Sequence, residues 1–384
     1  MQCKDYALHA SRDKVFDRLC DIWTETKEST NPDTKREWGI DIWRKANTLQ
    51  AVAQYWNGNP DAQQRLKAMN LMLDGYRFYV SRQDDQSLWV DDFGWWAGFF
   101  RDLSDYTRGH PFDPPLDPNN LLREMQCCYK RMSKNLDSEK GGIWNRCDDG
   151  REKNTVTNVW MLNVASDLFN WTGNPGCRTK ADEQYTWLTT GKTQKYSPES
   201  WHLYAADETL LWLLGPDGTA GTTSWSGNEG VYLRGLTAYI LAANPPDKQK
   251  LVDGGKALIN AAMKSGADAE HVMHEYPNSL DWSNDLATGK GVFMRLVTRF
   301  VVQHGFFGDR AFEESFKRFV GATAQSVWCS RDTATNTTAN NWNPGLTPPK
   351  SPREDLQPTR GGLWPQVWQT DGLDALNAAV RIGL

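Results

Sequence analysis

Two adjacent carboxylates, Asp91 and Asp92, stand in the stretch SLWVDDFGWWAGFF at residues 87–100. Paired carboxylates can cleave a glycosidic bond. A pair about 5–5.5 Å apart suits a retaining mechanism, and a wider pair leaves room for an attacking water and suits inversion. Sugars bind to flat aromatic faces, and Trp89, Phe93, Trp95 and Trp96 flank the two acids. Adjacent like charges raise one pKa, and burial under Trp95 or Trp96 would add to the rise, so the pair can divide the roles of ionised nucleophile and proton donor. The ordinary reading of the same residues is a helix start, because Asp is a favoured cap and negative charge is favourable in the first turn. Trp96, Phe99, Phe100 and Leu103 recur at helical spacing and would face a core.

Other side chains suit sugar hydroxyls. Asn154 and Asn158 are four apart, hence on one helix face, and an amide offers both donor and acceptor. Helix capping is the competing role, stronger for Asn154 than for Asn158. Asn228 also stands where a cap is needed, and Glu229 beside it falls in a first helical turn. Trp144, Trp225 and Trp364 lie in Gly-flanked loops, where a core role explains a tryptophan less readily, and they join Trp89 as sugar platforms. Asp207 is a reserve acid or a cap. His271 and His274 are three apart with Glu275 adjacent, but no further ligand is evident, so neither a metal nor a cofactor is expected.

The chain has 384 residues, formal net charge −5 and no basic run of five or more residues, which makes nucleic acid and acidic membranes poor candidates for partners. Mean hydropathy is −0.66 and no stretch approaches a membrane span. Tryptophan is the outlier, with 19 residues against 14 Phe and 12 Tyr, an excess that fits a carbohydrate cleft as well as a large helical core. Seven cysteines match no zinc spacing and leave room for one or two disulfides without assigning them. No signal sequence is read before Cys3, so the expectation is either a cytoplasmic chain or one that begins after a removed signal.

The elements that must position these groups are helices. Apolar periodicity predicts them at 8–27, 42–57, 61–82, 92–107, 118–134, 153–171, 179–190, within 199–214, after Trp225, at 247–264, from Gly291, at 308–328 and from Thr370 to Ile382. Short strands are expected only near Trp282, and residues 331–359 read as a long polar loop. Long loops of this kind carry function. No composition shift marks a linker, so residues 1–384 read as one domain. A dozen helices in consecutive antiparallel pairs suggest a closed, all-α ring of hairpins. An open solenoid would show a sharper repeat.

Five stretches, in order, make the chain resemble glycoside hydrolase family 76, the endo-α-1,6-mannanases, whose fungal relatives act as wall transglycosidases. They are Trp89-Val90-Asp91-Asp92 with Trp95-Trp96; Gly141-Gly142-Ile143-Trp144 with Lys153-Asn154 and Asn158; Trp225-Ser226-Gly227-Asn228-Glu229-Gly230; Lys290-Gly291-Val292-Phe293-Met294-Arg295; and the run Gln369–Ala379. The resemblance implies an (α/α)6 barrel. It implies Asp91 as nucleophile and Asp92 as general acid/base of a retaining enzyme acting on α-linked glycan of the α-1,6-mannan type. It also implies an oligo- or polysaccharide partner, a monomer, and a secreted or cell-envelope setting, with a cytoplasmic one left open. The third stretch departs from the family's Tyr-Asn-Gln-Gly: a tyrosine is lost and a neutral Gln becomes Glu229, which bears on substrate more than on chemistry. Transglycosylation shares the first step, and a non-catalytic carbohydrate-binding ring is the reading from another class.

Overall fold

The computed structural model describes residues 3, 5–40, 42–82, 89–107, 116–146, 152–190, 210, 224–275, 288–342 and 364–384. Among them are thirteen α-helices: α1 (Leu8–Lys27), α2 (Pro32–Ile40), α3 (Ile42–Asn57), α4 (Ala62–Val80), α5 (Val90–Thr107), α6 (Pro118–Ser133), α7 (Thr155–Thr172), α8 (Pro175–Thr190), α9 (Ser226–Ala243), α10 (Lys248–Gly266), α11 (Gly289–Gln303), α12 (Arg310–Cys329) and α13 (Trp364–Arg381). β-type pairing among the described residues includes the isolated bridges Leu136 with Ile143 and Ala267 with Met273.

Most boundaries agree with apolar periodicity because local chemistry fixes them. Asp61 accepts from the N–H groups of Gln63 and Gln64 at the start of α4. Asp117 caps α6 with Pro118 in the first turn, where its missing N–H costs nothing. Gly173, at φ 68°, closes α7 in the left-handed region that favours glycine. Two differences stand out. The short helix α2 was not expected, since its polar sequence carries no apolar stripe. Helix α13 begins at Trp364, six residues before Thr370, because Pro365 is compatible with a first turn. The helix expected within 199–214, the strands near Trp282, most of the loop at 331–359, and Asp207 lie outside the described residues.

The chain forms two compact units, one of residues 1–81 and 263–384, the other of residues 82–262. In the first, α13 packs on α1, α3, α11 and α12, and α3 pairs with α4. The Cys3–Cys329 disulfide joins the N-terminal arm of this unit to the end of α12. In the second, α7 packs on α5, α8 and α9, while α5 pairs with α6. Helices α7 and α9 are buried around nearly their whole circumference, which is why their apolar residues show no clean stripe.

Candidate active site

The carboxylate pair lies in the first turn of α5. Trp89 occupies the N-cap position, and its N–H donates to Asp92 Oδ2 at 2.9 Å, so Asp92 closes the helix start as the third residue of a capping box does. Asp92 is buried and Asp91 half-buried. The capping role and the chemical role thus fall on one side chain and do not exclude each other, since one oxygen suffices for the cap. Trp89, at 47% exposure, presents its ring to solvent.

Behind the pair the helix is held by close packing. Trp95 meets Trp160 edge to face, with ring centroids 4.9 Å apart, and lies 6.5 Å from Trp225. Trp96 packs on Phe99 and Phe100. Gly94 lets α5 approach α7: a Cβ there would sit 2.4 Å from Trp160 Cβ. Gly227 does the same for the Trp225 ring, which would lie 2.5 Å from an added Cβ. Trp95, Trp96 and Trp225 are fully buried, so their faces meet protein, which corrects the expectation that they are open sugar platforms.

The second motif forms a brace beside the acids. Asn154 caps α7, its Oδ1 accepting from Thr157 N–H at 2.9 Å. The Asn158 amide is saturated by protein. Its Oδ1 accepts from Ile143 N–H at 2.8 Å and from Gln184 Nε2 at 2.9 Å, and its Nδ2 donates to the carbonyls of Ile143 (3.1 Å) and Asn154 (2.8 Å). An amide with four partners has no valence left for a sugar. Asn158 therefore holds the loop at 141–146 through Ile143, and Asn154 caps the helix beside it. Gly142, at φ 73°, faces Trp187, and an added Cβ would lie 2.5 Å from that ring.

The loop is further fixed by Lys153, whose Nζ pairs with Asp137 at 2.6 Å and lies 4.3 Å from the Trp144 ring centroid. Burial alone would raise the Asp137 carboxyl, but hydrogen bonds from Lys153 and from the N–H groups of Lys140 and Glu139 hold it below its ordinary value. Trp144 is half-buried and lines a pocket of about 460 Å³ with Asn135, Asp137 and Lys140. Trp89 and Trp144 are thus the aromatic candidates that a sugar can reach.

In the third motif, α9 begins at Ser226 with Trp225 in the N-cap position, so Asn228 is already inside the helix and is not its cap. Glu229 is buried, and its Oε1 accepts from Leu210 N–H at 2.8 Å, tying a distant part of the chain to α9. The side chain of Trp364 and the loop before α13 lie outside the described residues. Sequence reasoning missed Asn145, which links the brace to α5: its carbonyl accepts from Val90 N–H at 3.0 Å. The one available signal was its position directly after the Gly-Gly-Ile-Trp run.

In the first unit, buried charge gathers where α11, α13 and α3 meet. Arg295 Nη1 pairs with Asp374 at 2.5 Å and its Nη2 with Asn47 Oδ1, while Lys290 bonds Asn340 and stands near Asp371. Burial pushes the Asp371 carboxyl well above its ordinary value, against the pull of Lys290, and brings Asp374 to about 7, against Arg295. His271 sits in a turn at φ 63°, and the His274 ring bonds the Glu275 carbonyl. Among the described residues no group of three His, Cys, Asp or Glu is placed to hold a metal ion. No described helix is long and apolar enough to cross a membrane.

Among the described residues the fold is helical, with two consecutive carboxylates at the start of a helix and the exposed Trp89 beside them. Residues 7–378 match the model of Glycosyl hydrolase family 76, and the chain belongs to that family. Three solved structures share its fold. One is an inactive variant of the α-1,6-mannanase GH76A of Salegentibacter sp. HEL1_6, with two consecutive aspartates replaced by asparagine, in complex with α-1,6-mannotriose. It is 15% identical, with TM-score 0.68, and 97% of this chain and 99% of that one are covered. Dfg5 from Chaetomium thermophilum, in complex with glucosamine, is also 15% identical, with TM-score 0.74 and coverage of 99% and 91%. The α-mannanase BT2949 of Bacteroides thetaiotaomicron is 12% identical, with TM-score 0.67 and coverage of 98% and 96%. No curated protein sequence matches. The fold is the (α/α)6 arrangement of this family, as the helical pairing suggested.

Proposed function

We propose that the chain is a retaining glycosidase acting on α-linked mannan-type glycan, with Asp91 as nucleophile and Asp92 as general acid/base. The observation that carries this reading is the Asp91–Asp92 pair itself, set at a rigid helix start beside the exposed Trp89 ring. The Salegentibacter enzyme, made inactive by replacing two consecutive aspartates, supports it.

Asp91, the less buried acid, attacks the anomeric carbon as a carboxylate. The glycosidic oxygen leaves with a proton from Asp92, and a covalent glycosyl ester forms on Asp91. Trp89 N–H holds Asp92 Oδ2 as an acceptor, and we assign proton transfer to Oδ1. Asp92, now ionised, takes a proton from water, which breaks the ester and restores Asp91 with retention at the anomeric centre. A sugar hydroxyl in place of water gives transglycosylation, and the likeness to Dfg5 bound to glucosamine favours keeping that outcome as the second reading.

The match across residues 7–378 supports one catalytic domain. The Cys3–Cys329 disulfide supports a secreted or cell-envelope setting, where such bonds persist. Buried Asn228 and Glu229 are read as supports of the third-motif loop.

The test is product analysis with α-1,6-mannooligosaccharides, alone and with added acceptor sugars. Wild type is expected to give shorter, retained products. Asp91→Asn and Asp92→Asn should each lose at least about 10³-fold in kcat while melting within a few degrees of wild type. Binding without turnover by wild type across a panel of α-linked glycans would replace the enzyme with a carbohydrate-binding ring.

A further inference from the structure

We infer that Asn145 is a positioning residue for the Asp91–Asp92 pair and that its neighbour Arg146 orients the Trp89 platform, so two consecutive loop residues hold the two residues that precede the acids. This inference rests on the glycosidase reading of the pair.

Asn145 is buried and forms bonds in two directions. Its Oδ1 accepts from Glu152 N–H, and its own N–H donates to the Glu152 carbonyl, both at 2.8 Å, which pins residue 145 to the segment entering α7. Its carbonyl accepts from Val90 N–H at 3.0 Å. That N–H is one of the first-turn donors a helix leaves without an internal partner. The bond therefore sets where α5 begins, one residue before Asp91. Arg146 places its guanidinium 5.0 Å from the Trp89 ring centroid, a cation–π contact on the exposed tryptophan whose N–H binds Asp92.

The loop carrying both residues is rigid because Asn158 holds Ile143 on both its N–H and its carbonyl, and because the Lys153–Asp137 pair supports Trp144. Unlike a sugar contact, Asn145 acts through backbone geometry. A small displacement of reacting groups costs turnover more than binding.

The two residues should separate in kinetics. Asn145→Ala removes the side-chain half of the Glu152 clamp, loosening the backbone that binds Val90, and is expected to lower kcat about 10-fold or more with KM within about 3-fold of wild type. Arg146→Ala releases the Trp89 ring and is expected to raise KM about 5-fold with kcat within about 2-fold. Both proteins should melt near wild type. Amide hydrogen exchange gives a readout independent of turnover: the segment at 89–92 should exchange about 10-fold faster in Asn145→Ala and unchanged in Arg146→Ala.

Wild-type inactivity on every α-linked oligosaccharide defeats the glycosidase reading, yet faster exchange at 89–92 would still support the positioning role. An active wild type with unchanged exchange and unchanged kcat in Asn145→Ala overturns the inference. So does an equal loss of kcat and thermal stability in both variants, which marks a merely structural loop.

Discussion

Each of the two units buries an arginine–aspartate pair, and the two pairs are finished differently. In the unit of residues 82–262, Arg234 uses all three guanidinium nitrogens: Nη1 on Asp102 at 2.8 Å, Nη2 on the Gly98 carbonyl at 3.0 Å, and Nε on Asn163 at 3.2 Å. In the other unit, Arg295 binds Asp374 and Asn47, but its Nε, one Asp374 oxygen and both Asp371 oxygens are buried without a hydrogen bond. The first pair is a lock between α5, α7 and α9, the helices that carry the candidate acids and the brace. The second is a cluster with more carboxyl oxygens than nearby donors satisfy, and burial pushes both carboxyls above their ordinary value. Buried charge thus fixes geometry in one region and makes the other sensitive to pH.

Removing each arginine is the most severe way to break that contrast. Loss of one partner from a fully buried pair costs about 3–5 kcal/mol. Arg234→Met should incur that cost, since Asp102, Asn163 and the Gly98 carbonyl all lose their donor. Arg295→Met should cost less at pH 5 than at pH 8, because Asp374, already pushed up to about 7, can protonate when its partner is gone. Chemical denaturation at both pH values measures it, and equal costs for the two variants at both pH values would erase the distinction.

What the sequence revealed follows the same division between local and long-range chemistry. The helix start at Asp91–Asp92 and the helices opening near 61 and 118 were legible because cap and period are local. So was the family, through five short runs in order. The true work of Asn158 was not legible: four apart from Asn154 on one face, it looked like a sugar contact, and only its closure on Ile143 and Gln184 shows its amide already filled. Trp225 misled for a related reason. A tryptophan beside a glycine reads as exposed, whereas Gly227 is the space into which its ring folds. The bond from Leu210 N–H to Glu229 was hidden for the same reason, since Leu210 is nineteen positions away.

Glycines sharpen the comparison at a smaller scale. Gly94 and Gly291 each stand near the start of a helix where a partner presses close, one on the Trp160 side chain at 2.4 Å and the other on Asp371 Oδ1 at 2.3 Å and Cα at 2.5 Å from an added Cβ. Alanine at either site overpacks the contact, typically by about 1–3 kcal/mol. Gly291→Ala should lie at the upper end, because backbone yields less than a side chain. Gly94→Ala should also reduce kcat, since it displaces α5 two residues after Asp92. Melting and turnover measured together would show whether the lower stability cost falls, as expected, with the larger loss of activity.

The mildest test is pH itself. Asp371 and Asp374 have folded-state pKa values above their ordinary value of 3.8, so the folded protein binds more protons than the unfolded one. Their contribution is fully present below the unfolded pKa and is lost as pH rises, through about 7 for Asp374. The groups facing them are Lys290, Arg295 and Glu275. Burial lowers Lys290, which works in the opposite sense: stability rises as pH rises through its folded value toward 10.5. In the acidic to neutral range the carboxyls decide, and the melting temperature should fall by a few degrees between pH 5 and pH 8. Asp371→Asn removes the more strongly shifted acid while keeping its shape, so it should flatten that slope and stabilise the protein at pH 8. A slope unchanged by Asp371→Asn would mean that the cluster is ionised and paired after all, and that both units use buried charge only as a lock.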